Sequence, residues 1–324
     1  MKASLLLLYG KTNRHLGLWN DLGKDVRVVM RCTDFIPFLR RFRFLRKLIL
    51  KCIGFWGLPY RHKWHQHRDF LSIIPEVKHL LIIDGALNNI DICELKTCRK
   101  LNPNLKISLY LINSLKADSP LIRGVIPKMN QFAWDAIYTF DPDDAKEYGF
   151  IFSGFNYYSK HEISLNEKIE NDVYFVGGLK GGREKLIYDT YSYLISHNVK
   201  CLFDLMAFDD IDFAPVSDIR FMKKWRPYED VLLNVSQSKC ILEITQEGQK
   251  GATLRFFEAV IMNKKLLTNN PMIVDYPFYN PKWMKVYKKL EDIDWEWIKK
   301  DAHIDYGYND EFSPTHLIDR ILRQ

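Results

Sequence analysis

The order of apolar and helical segments narrows the fold of this chain more than any other feature. Short runs of apolar residues predict buried strands, and stretches with helical spacing separate them. The predicted strands of the first half lie at 4–9, 26–30, 78–83, 106–112 and 136–140. Strands that are apolar on both faces and alternate with helices predict a mainly parallel sheet that helices cover on both sides.

The pattern starts again after a polar, aromatic stretch at 152–171, which we interpret as a linker. The second half is predicted to hold strands at 172–176, 200–205, 219–221, 239–244 and 265–268, with helices at 184–197, 228–236 and 252–262. We therefore predict an α/β fold of two doubly wound, Rossmann-like domains, at 1–155 and 165–324, with a ligand cleft between them. A helix at 313–323 is a candidate to pack back on the first domain.

The bulk composition is that of an ordinary globular protein. The length of 324 residues, with 47% hydrophobic residues, suits two domains. No apolar run approaches the ~20 residues that a membrane-spanning helix needs, and the run at 4–9 is too short for a signal-peptide core. The six cysteines form no CxxC pair, which favours reduced thiols. We expect a cytoplasmic protein.

Residues 239–270 hold the densest group of ligand-like side chains. They predict a strand, a polar glycine loop at 245–251 and a helix whose unpaired N–H groups form an anion site. Arg255, one turn into the helix, has a planar cationic fork that suits phosphate. Glu258, one turn deeper, can accept hydrogen bonds from a pair of sugar hydroxyls. The alternative is a solvated i, i+3 ion pair on an ordinary helix.

A second glycine turn follows the predicted strand at 172–176. It reads Val-Gly-Gly-Leu-Lys-Gly-Gly-Arg and contains Gly177, Gly178, Lys180 and Arg183. Glycines allow a ligand to approach the backbone closely and leave the next helix start open to phosphate. The turn is neither GxGxxG nor a P-loop. Its two cations are available for a diphosphate, or the turn is simply a tight connection.

Three blocks of the chain resemble a known family. VYFVGGLKGGREKLI, RPYEDVLLNVSQSKCILEI and QKGATLRFFEA, which is followed by KKLLTNN, are similar to the C-terminal half of bacterial GT-B glycosyltransferases. The most similar set is that of capsule, exopolysaccharide and O-antigen gene clusters. The resemblance covers roughly residues 136–275, including DPDDAKEYG before the linker. The first half resembles the family only in its βα layout.

The resemblance implies a GT-B-like fold and a glycosyltransferase of surface polysaccharide biosynthesis. It also implies a nucleotide-sugar donor, expected to be a UDP-sugar, that binds the second domain as a substrate with no separate cofactor. A lipid-linked or oligosaccharide acceptor would bind the first domain. By position, Glu258 would hold the ribose and Tyr228 would lie near the base. Gly251, Thr253 and Arg255 would meet the diphosphate. The donor-binding set so implied, with the glycine turn added, is Gly177, Gly178, Lys180, Arg183, Tyr228, Gln249, Gly251, Thr253, Arg255 and Glu258.

One departure from the family pattern bears on the mechanism. Retaining members commonly have a glutamate eight residues before the ribose glutamate, and this chain has Lys250 there. We therefore expect an inverting enzyme, which needs a base from the first domain. The candidates are Asp84, which ends a predicted strand, and His15, in the first βα turn, with Asp118 behind them. Each could be structural, because an aspartate after a strand often caps the next helix.

We expect no essential metal ion. The tripeptides at 210–212 and 292–294 match the DxD metal motif, but the pattern is frequent by chance in a chain with 40 acidic residues. We interpret these acids as turn or helix-capping residues. Arg255, other basic groups and helix N-termini would then stabilise the charge on the leaving diphosphate.

Two other classes of function compete with sugar transfer. One is a different nucleotide-sugar enzyme, such as an epimerase or a sugar phosphorylase. The other is a non-enzymatic protein that binds membranes or nucleic acid, since the formal net charge is +7. Nucleic-acid binding predicts basic residues along a groove with aromatic stacking positions. The charge instead concentrates at 40–68, so we expect no nucleic-acid partner.

Residues 35–51, which begin with Phe35 and end with Lys51, combine large apolar side chains with basic ones and contain no acidic residue. This composition is typical of a helix that lies on anionic lipid. The alternative is a helix packed on the sheet with its basic face in water. The cations of the segment are Arg40, Arg41, Arg43, Arg46, Lys47 and Lys51.

We predict that this segment docks the protein on the anionic inner leaflet. Each cation near such a surface contributes about 1 kcal/mol, screened by salt. In liposome flotation, binding should require anionic lipid, fade with added salt, and weaken when Arg40, Arg41 and Arg43 are changed to glutamine. Equal flotation on neutral vesicles, or none on anionic ones, would remove the membrane role.

Overall fold

The computed structural model describes residues 5–10, 19, 22, 26–31, 69–88, 90–116, 120–153, 158–159, 168–179, 182–206, 218–223 and 226–323. Its strands are β1 Leu5–Gly10, β2 Val26–Arg31, β3 His79–Ile83, β4 Lys106–Leu111, β5 Ala136–Thr139, β6 Ile151–Phe152, β7 Asn171–Gly178, β8 Cys201–Met206, β9 Ile219–Met222, β10 Ser238–Glu243, β11 Lys265–Thr268 and β12 Met284–Val286. Its α-helices are α1 Asp69–Ile73, α2 Asp84–Leu87, α3 Ile92–Leu101, α4 Pro120–Met129, α5 Pro142–Tyr148, α6 Glu184–Ser196, α7 Tyr228–Ser236, α8 Leu254–Ile261, α9 Trp295–Lys299 and α10 Pro314–Arg323.

The first sheet has the strand order β2-β1-β3-β4-β5-β6. β1 pairs in parallel with β2 on one side and β3 on the other, so the order reverses between β1 and β3. Every residue of β3 is buried, as expected for a strand that is covered on both faces. Asp84 follows β3 directly and therefore lies at the carboxyl end of a strand that borders this switch point.

The second sheet has the order β12-β11-β10-β7-β8-β9, and all neighbouring pairs are parallel. From β7 the chain runs outward through β8 and β9, and then returns to β10 on the other side. The switch point of this sheet therefore lies between β7 and β10. In open parallel sheets, ligands bind outside the carboxyl ends of the strands at this point. The predicted α/β fold with two parallel, Rossmann-like arrays is confirmed.

The two faces of the second sheet differ in chemistry. One face is an apolar cluster that includes Val173, Phe203 and Leu242 and packs against α6 and α9. Because side chains alternate along a strand, the other face presents Tyr174, Asp204, Glu243 and Thr268, which are all buried. Helices α7 and α8 cover that face. Buried polar groups near the strand ends thus meet the two helices that the sequence analysis singled out.

Aromatic side chains pack around α8. Phe257 lies edge-on to Phe312, with ring centroids 4.9 Å apart, and it stacks on Tyr158 at 6.2 Å. The backbone N–H of Tyr158 donates a hydrogen bond to the carbonyl of Phe312 at 2.5 Å. The start of the predicted linker and the segment before α10 therefore meet over one face of α8.

The chain separates into two compact units. Among the described residues, the first unit comprises those within 1–11, 24–110 and 124–136, and the second comprises those within 12–23, 111–123 and 137–324. The domain boundaries at 155 and 165 stay a prediction. In the described ranges no helix combines the length and apolar character that a bilayer crossing requires. Cys93, Cys98, Cys201 and Cys240 are free thiols.

Most predicted elements agree with the structure to within about two residues, and α7 agrees at both ends. Helix α5 is an element that the sequence analysis did not assign. Its signals are local: Asp141 caps its first turn, Pro142 is its first residue, and Gly149 ends it with a φ of 69°. The basic segment at 35–51 lies outside the described residues.

Candidate functional site

Arg183 joins the two strand ends at the switch point of the second sheet. Its Nε and Nη2 donate to the carbonyl of Gly178 at 3.3 and 3.1 Å, and its Nη1 donates to the carbonyl of Ile244. A Cβ on Gly177 would lie 2.8 Å from Cζ of Phe175 and 3.1 Å from Nη2 of Arg183, so the glycine makes room for both side chains. The first glycine turn therefore links β7 to the loop after β10. Lys180 lies outside the described residues.

The N-terminus of α8 binds a carboxylate of the protein itself. Glu243, fully buried at the end of β10, accepts hydrogen bonds from the backbone N–H and the hydroxyl of Thr253 at 3.1 and 2.5 Å. Its other oxygen accepts the hydroxyl of Thr268 at 2.6 Å. The positive end of the helix dipole and these donors stabilise the buried charge. Glu243 thus fixes the start of α8 against two strands.

The loop before α8 binds a second buried carboxylate. Oδ2 of Asp141 accepts the backbone N–H groups of Lys250 and Gly251, each at 3.3 Å. Its Oδ1 accepts the N–H groups of Asp143 and Asp144 in the first turn of α5, at 2.9 and 3.3 Å. Asp141 is therefore shared between a helix start and a loop that lies over a hundred residues away. Asp141 lies in the segment DPDDAKEYG, but no role was predicted for it from the sequence.

The backbone N–H groups of the predicted anion site already have hydrogen-bond acceptors within the protein. The N–H group of Gly251 donates to the carboxylate of Asp141, and that of Thr253 donates to the carboxylate of Glu243, so both donors are used by acids of the protein itself. A ligand diphosphate at the same donors would take the place of Asp141 or Glu243. The diphosphate contacts of Gly251 and Thr253 stay a prediction.

Cations border the same loop. The ammonium of Lys250 lies 2.7 Å from Asp143, and that of Lys116 lies 3.1 Å from Glu147. The hydrogen bond to Lys250 lowers the pKa of Asp143, and the hydrogen bond to Glu147 raises the pKa of Lys116. Both lysines are exposed. Gln249 is half-buried, and its backbone N–H donates to the carbonyl of Gln246 at 3.1 Å.

Arg255 and Glu258 do form the i, i+3 ion pair that was the alternative to a ligand site, but the pair is buried and not solvated. Arg255 is 4% exposed and Glu258 is fully buried, with Nη2 of the arginine 2.5 Å from Oε1 of the glutamate. Nη1 of Arg255 is buried and has no hydrogen-bond partner in the part of the chain that the structure describes. A buried charge with an unused donor is costly, so this pair is not an incidental surface contact.

Tyr228 also donates a hydrogen bond to Glu258. Its hydroxyl donates to Oε1 of Glu258 at 2.6 Å and is itself hydrogen-bonded to the hydroxyl of Tyr158. Burial raises the pKa of both tyrosines well above the ordinary value, so both stay neutral. The structure therefore brings together three of the predicted donor-binding residues, Tyr228, Arg255 and Glu258. It adds Tyr158, which the sequence analysis placed in a linker.

A further buried carboxylate lies on the same sheet face. Asp204 accepts two hydrogen bonds from Arg220, at 2.6 and 2.9 Å, and one from Tyr174 at 2.8 Å. Arg220 is the register partner of Asp204 on β9, so a single strand pairing aligns the guanidinium. This planar, bidentate arrangement ties β7, β8 and β9 together. No sequence signal separated Asp204 from the apolar residues around it.

The candidate bases differ in what the structure says of them. Asp84 begins α2, is fully buried, and its Oδ1 accepts the N–H of Gly85 at 2.5 Å. His15 and Asp118 lie outside the described residues.

Of the acids in the two DxD tripeptides, Asp210 and Asp212 also lie outside the described residues. Asp294 caps α9 by accepting the N–H of Trp297 at 2.8 Å, which agrees with the capping role expected of it. No cluster of metal-ligating residues occurs within the described ranges.

We predict that Gly251→Ala destabilises the protein by about 1–3 kcal/mol. A Cβ at residue 251 would overlap the ring of Phe140, and this ring packs beneath the loop that Asp141 binds. Urea unfolding measures the loss. In a Phe140→Leu background the same substitution should cost less, because a smaller side chain leaves room. Equal costs in both backgrounds would show that the ring does not restrict residue 251.

Comparison with known proteins gives structural neighbours only. No family model matches the chain, and no curated protein matches it. T4 phage beta-glucosyltransferase is 13% identical, with 98% of this chain and 92% of that chain covered and a TM-score of 0.45. A UDP-forming α,α-trehalose-phosphate synthase from Burkholderia vietnamiensis is 11% identical, with coverage of 92% and 90% and a TM-score of 0.45. The glycotransferase of kitacinnamycin is 10% identical, with coverage of 91% and 88% and a TM-score of 0.43.

Proposed function

We propose that this protein is a metal-independent, inverting glycosyltransferase. It transfers a sugar from a UDP-linked donor to a lipid-linked or oligosaccharide acceptor in surface polysaccharide biosynthesis. One observation carries the proposal: both glycine turns from which the sequence predicted a donor site follow strands that border one switch point, between β7 and β10. A parallel sheet offers its ligand site at such a point.

The chemistry of this region suits a nucleoside diphosphate. The switch point combines the guanidinium of Arg183, the exposed ammonium of Lys250, and a loop whose N–H groups already bind carboxylates. Fixed dipoles and cations of this kind can neutralise a leaving diphosphate without a metal ion. We assign Arg255 to the negative charge that develops on the diphosphate. Its buried Nη1 has no hydrogen-bond partner among the described residues and is therefore able to donate to a ligand.

Glu258 is the residue that we assign to the ribose. Its carboxylate is oriented by two donors, Arg255 and Tyr228, both of which end on Oε1. A carboxylate with a fixed orientation is suited to accept hydrogen bonds from a neighbouring pair of hydroxyls. The remaining assignments of the donor set, at Gly177, Gly178, Lys180 and Gln249, rest on the resemblance and on their place in the two turns.

The first test is thermal stabilisation by UDP, GDP, CMP and dTDP. A ligand that binds only the native state raises its stability by mass action, so UDP should raise the Tm most. Stabilisation by none of the four would overturn the proposal. Selective stabilisation by another nucleotide would leave sugar transfer in place and change the base.

We predict that Glu258→Gln weakens nucleotide binding by about tenfold or more, since a charged acceptor of ribose hydroxyls becomes a neutral one. Gln keeps the volume of the side chain and avoids the cavity that Ala would leave beside Arg255. Arg255→Lys should lower turnover more than binding, because a point charge replaces a planar fork. The matched control is Glu247→Gln, which changes an exposed acid on the preceding loop. Wild-type kinetics in both test variants would make the pair purely structural.

We predict that Asp84 is the catalytic base. Asp84→Asn keeps the shape and the hydrogen bond with Gly85 but removes the basicity, so turnover should fall by roughly 10²-fold with donor affinity unchanged. His15→Ala is measured in parallel. Full activity of Asp84→Asn with an inactive His15→Ala transfers the role to His15. A product that retains the anomeric configuration of the donor excludes a single general base at either residue.

A further inference from the structure

A chain of buried hydroxyl groups leads from residue 158 to Glu258. The hydroxyl of Tyr228 lies 2.6 Å from Oε1 of Glu258, and the hydroxyl of Tyr158 is hydrogen-bonded to that of Tyr228. Tyr158 is 1% exposed and Tyr228 is 3% exposed. The residues are 70 positions apart, so only the tertiary structure brings them together.

The direction of the protons in this chain follows from the chemistry of its end. An ionised carboxylate can only accept, so Tyr228 donates its single proton to Glu258. The Tyr228 oxygen then accepts the proton of Tyr158. Donation to Tyr228 polarises its O–H bond and strengthens the bond to the carboxylate, since hydrogen bonds in a chain of low dielectric reinforce one another. The hydroxyl of Tyr158 therefore acts on Glu258 without touching it.

Tyr158 is itself held firmly. Its ring stacks on Phe257 with an interplanar angle of 11°, and its backbone N–H donates to the carbonyl of Phe312. Phe257 lies on α8 next to Glu258, so the ring is anchored on the same helix whose carboxylate the hydroxyl orients. Replacing the hydroxyl alone leaves both anchors in place.

We propose that Tyr158 is a positioning residue that acts through Tyr228 to orient the carboxylate of Glu258, and thereby sets the preference of the site for a ribonucleotide over a 2′-deoxyribonucleotide. This inference rests on the assignment of Glu258 to the ribose under the proposed function. It adds a residue from the segment between β6 and β7, which neither the glycine turns nor the motif around α8 includes.

The experiment compares the affinities of the wild-type protein and Tyr158→Phe for UDP and 2′-deoxy-UDP, measured by calorimetry. If another base gives the largest stabilisation, the corresponding pair of nucleotides is used. The wild type should bind UDP about tenfold or more tightly than 2′-deoxy-UDP, because the deoxy compound lacks a hydrogen bond to a charged group. Tyr158→Phe should lower this ratio at least threefold by weakening UDP alone. A general loss of packing would weaken both ligands equally.

The control is Tyr287→Phe, which removes a hydroxyl from a tyrosine that is 2% exposed in the apolar cluster on the other face of the sheet. It should leave the ratio unchanged. Tyr228→Phe breaks the chain one link closer to Glu258 and should lower the ratio by at least as much as Tyr158→Phe. The double variant should then lose no more than Tyr228→Phe alone, since the two hydroxyls act in series. Tyr228→Phe also carries the test if Tyr158→Phe does not fold.

The outcomes distinguish a failure of the ribose assignment of Glu258 from a failure of the role of Tyr158. A wild-type protein that binds UDP and 2′-deoxy-UDP equally overturns the ribose assignment of Glu258, and this inference with it. A wild-type preference that Tyr158→Phe preserves overturns the role of Tyr158 and leaves the proposed function standing. Additive losses in the double variant would likewise contradict a series of hydroxyls.

Discussion

The carboxylate of Glu243 is the group on which the arrangement of the second sheet and its helices depends. It lies at the end of β10 and accepts hydrogen bonds from Thr253, which caps the start of α8, and from Thr268 on the neighbouring strand. A buried charge of this kind is stable only when its donors are all in place, because desolvation otherwise outweighs the hydrogen bonds. Helix, loop and strand must therefore assemble together, and the start of α8 has one position.

Asp141 and Arg183 extend the same principle to the loops. Asp141 presents an anion to backbone N–H groups of the loop before α8, and Arg183 presents a cation to the carbonyls at two strand ends. Each charged side chain thus satisfies backbone groups that the end of a strand or the start of a helix leaves unpaired. These contacts join the ends of β7 and β10 and attach the loop before α8 to the start of α5.

The buried ion pair of Arg255 and Glu258 can be present for the stability of the fold or for the function of the site. Replacing a buried ion pair by apolar residues is often neutral or stabilising, so its burial under two tyrosines does not argue for a role in stability. Polar groups of this cost persist at sites where they orient a ligand or another side chain. The hydroxyls of Tyr158 and Tyr228 fit the second description, since Tyr228 donates to the carboxylate of Glu258 and is itself hydrogen-bonded to Tyr158.

The sequence by itself determined the elements and their class. Apolar runs such as those of β3 and β10 mark buried strands, because periodicity acts between residues a few positions apart. The capping residues Asp141 and Gly149 are equally local signals, but no helix was predicted from them. The same local patterns placed Arg255 and Glu258 one turn apart on α8. Only the tertiary structure decided that this pair is buried, that the strand order reverses between β7 and β10, and that Tyr158 belongs beside Glu258. Each of these facts depends on contacts between distant segments, and side-chain periodicity specifies that a residue is covered without specifying what covers it.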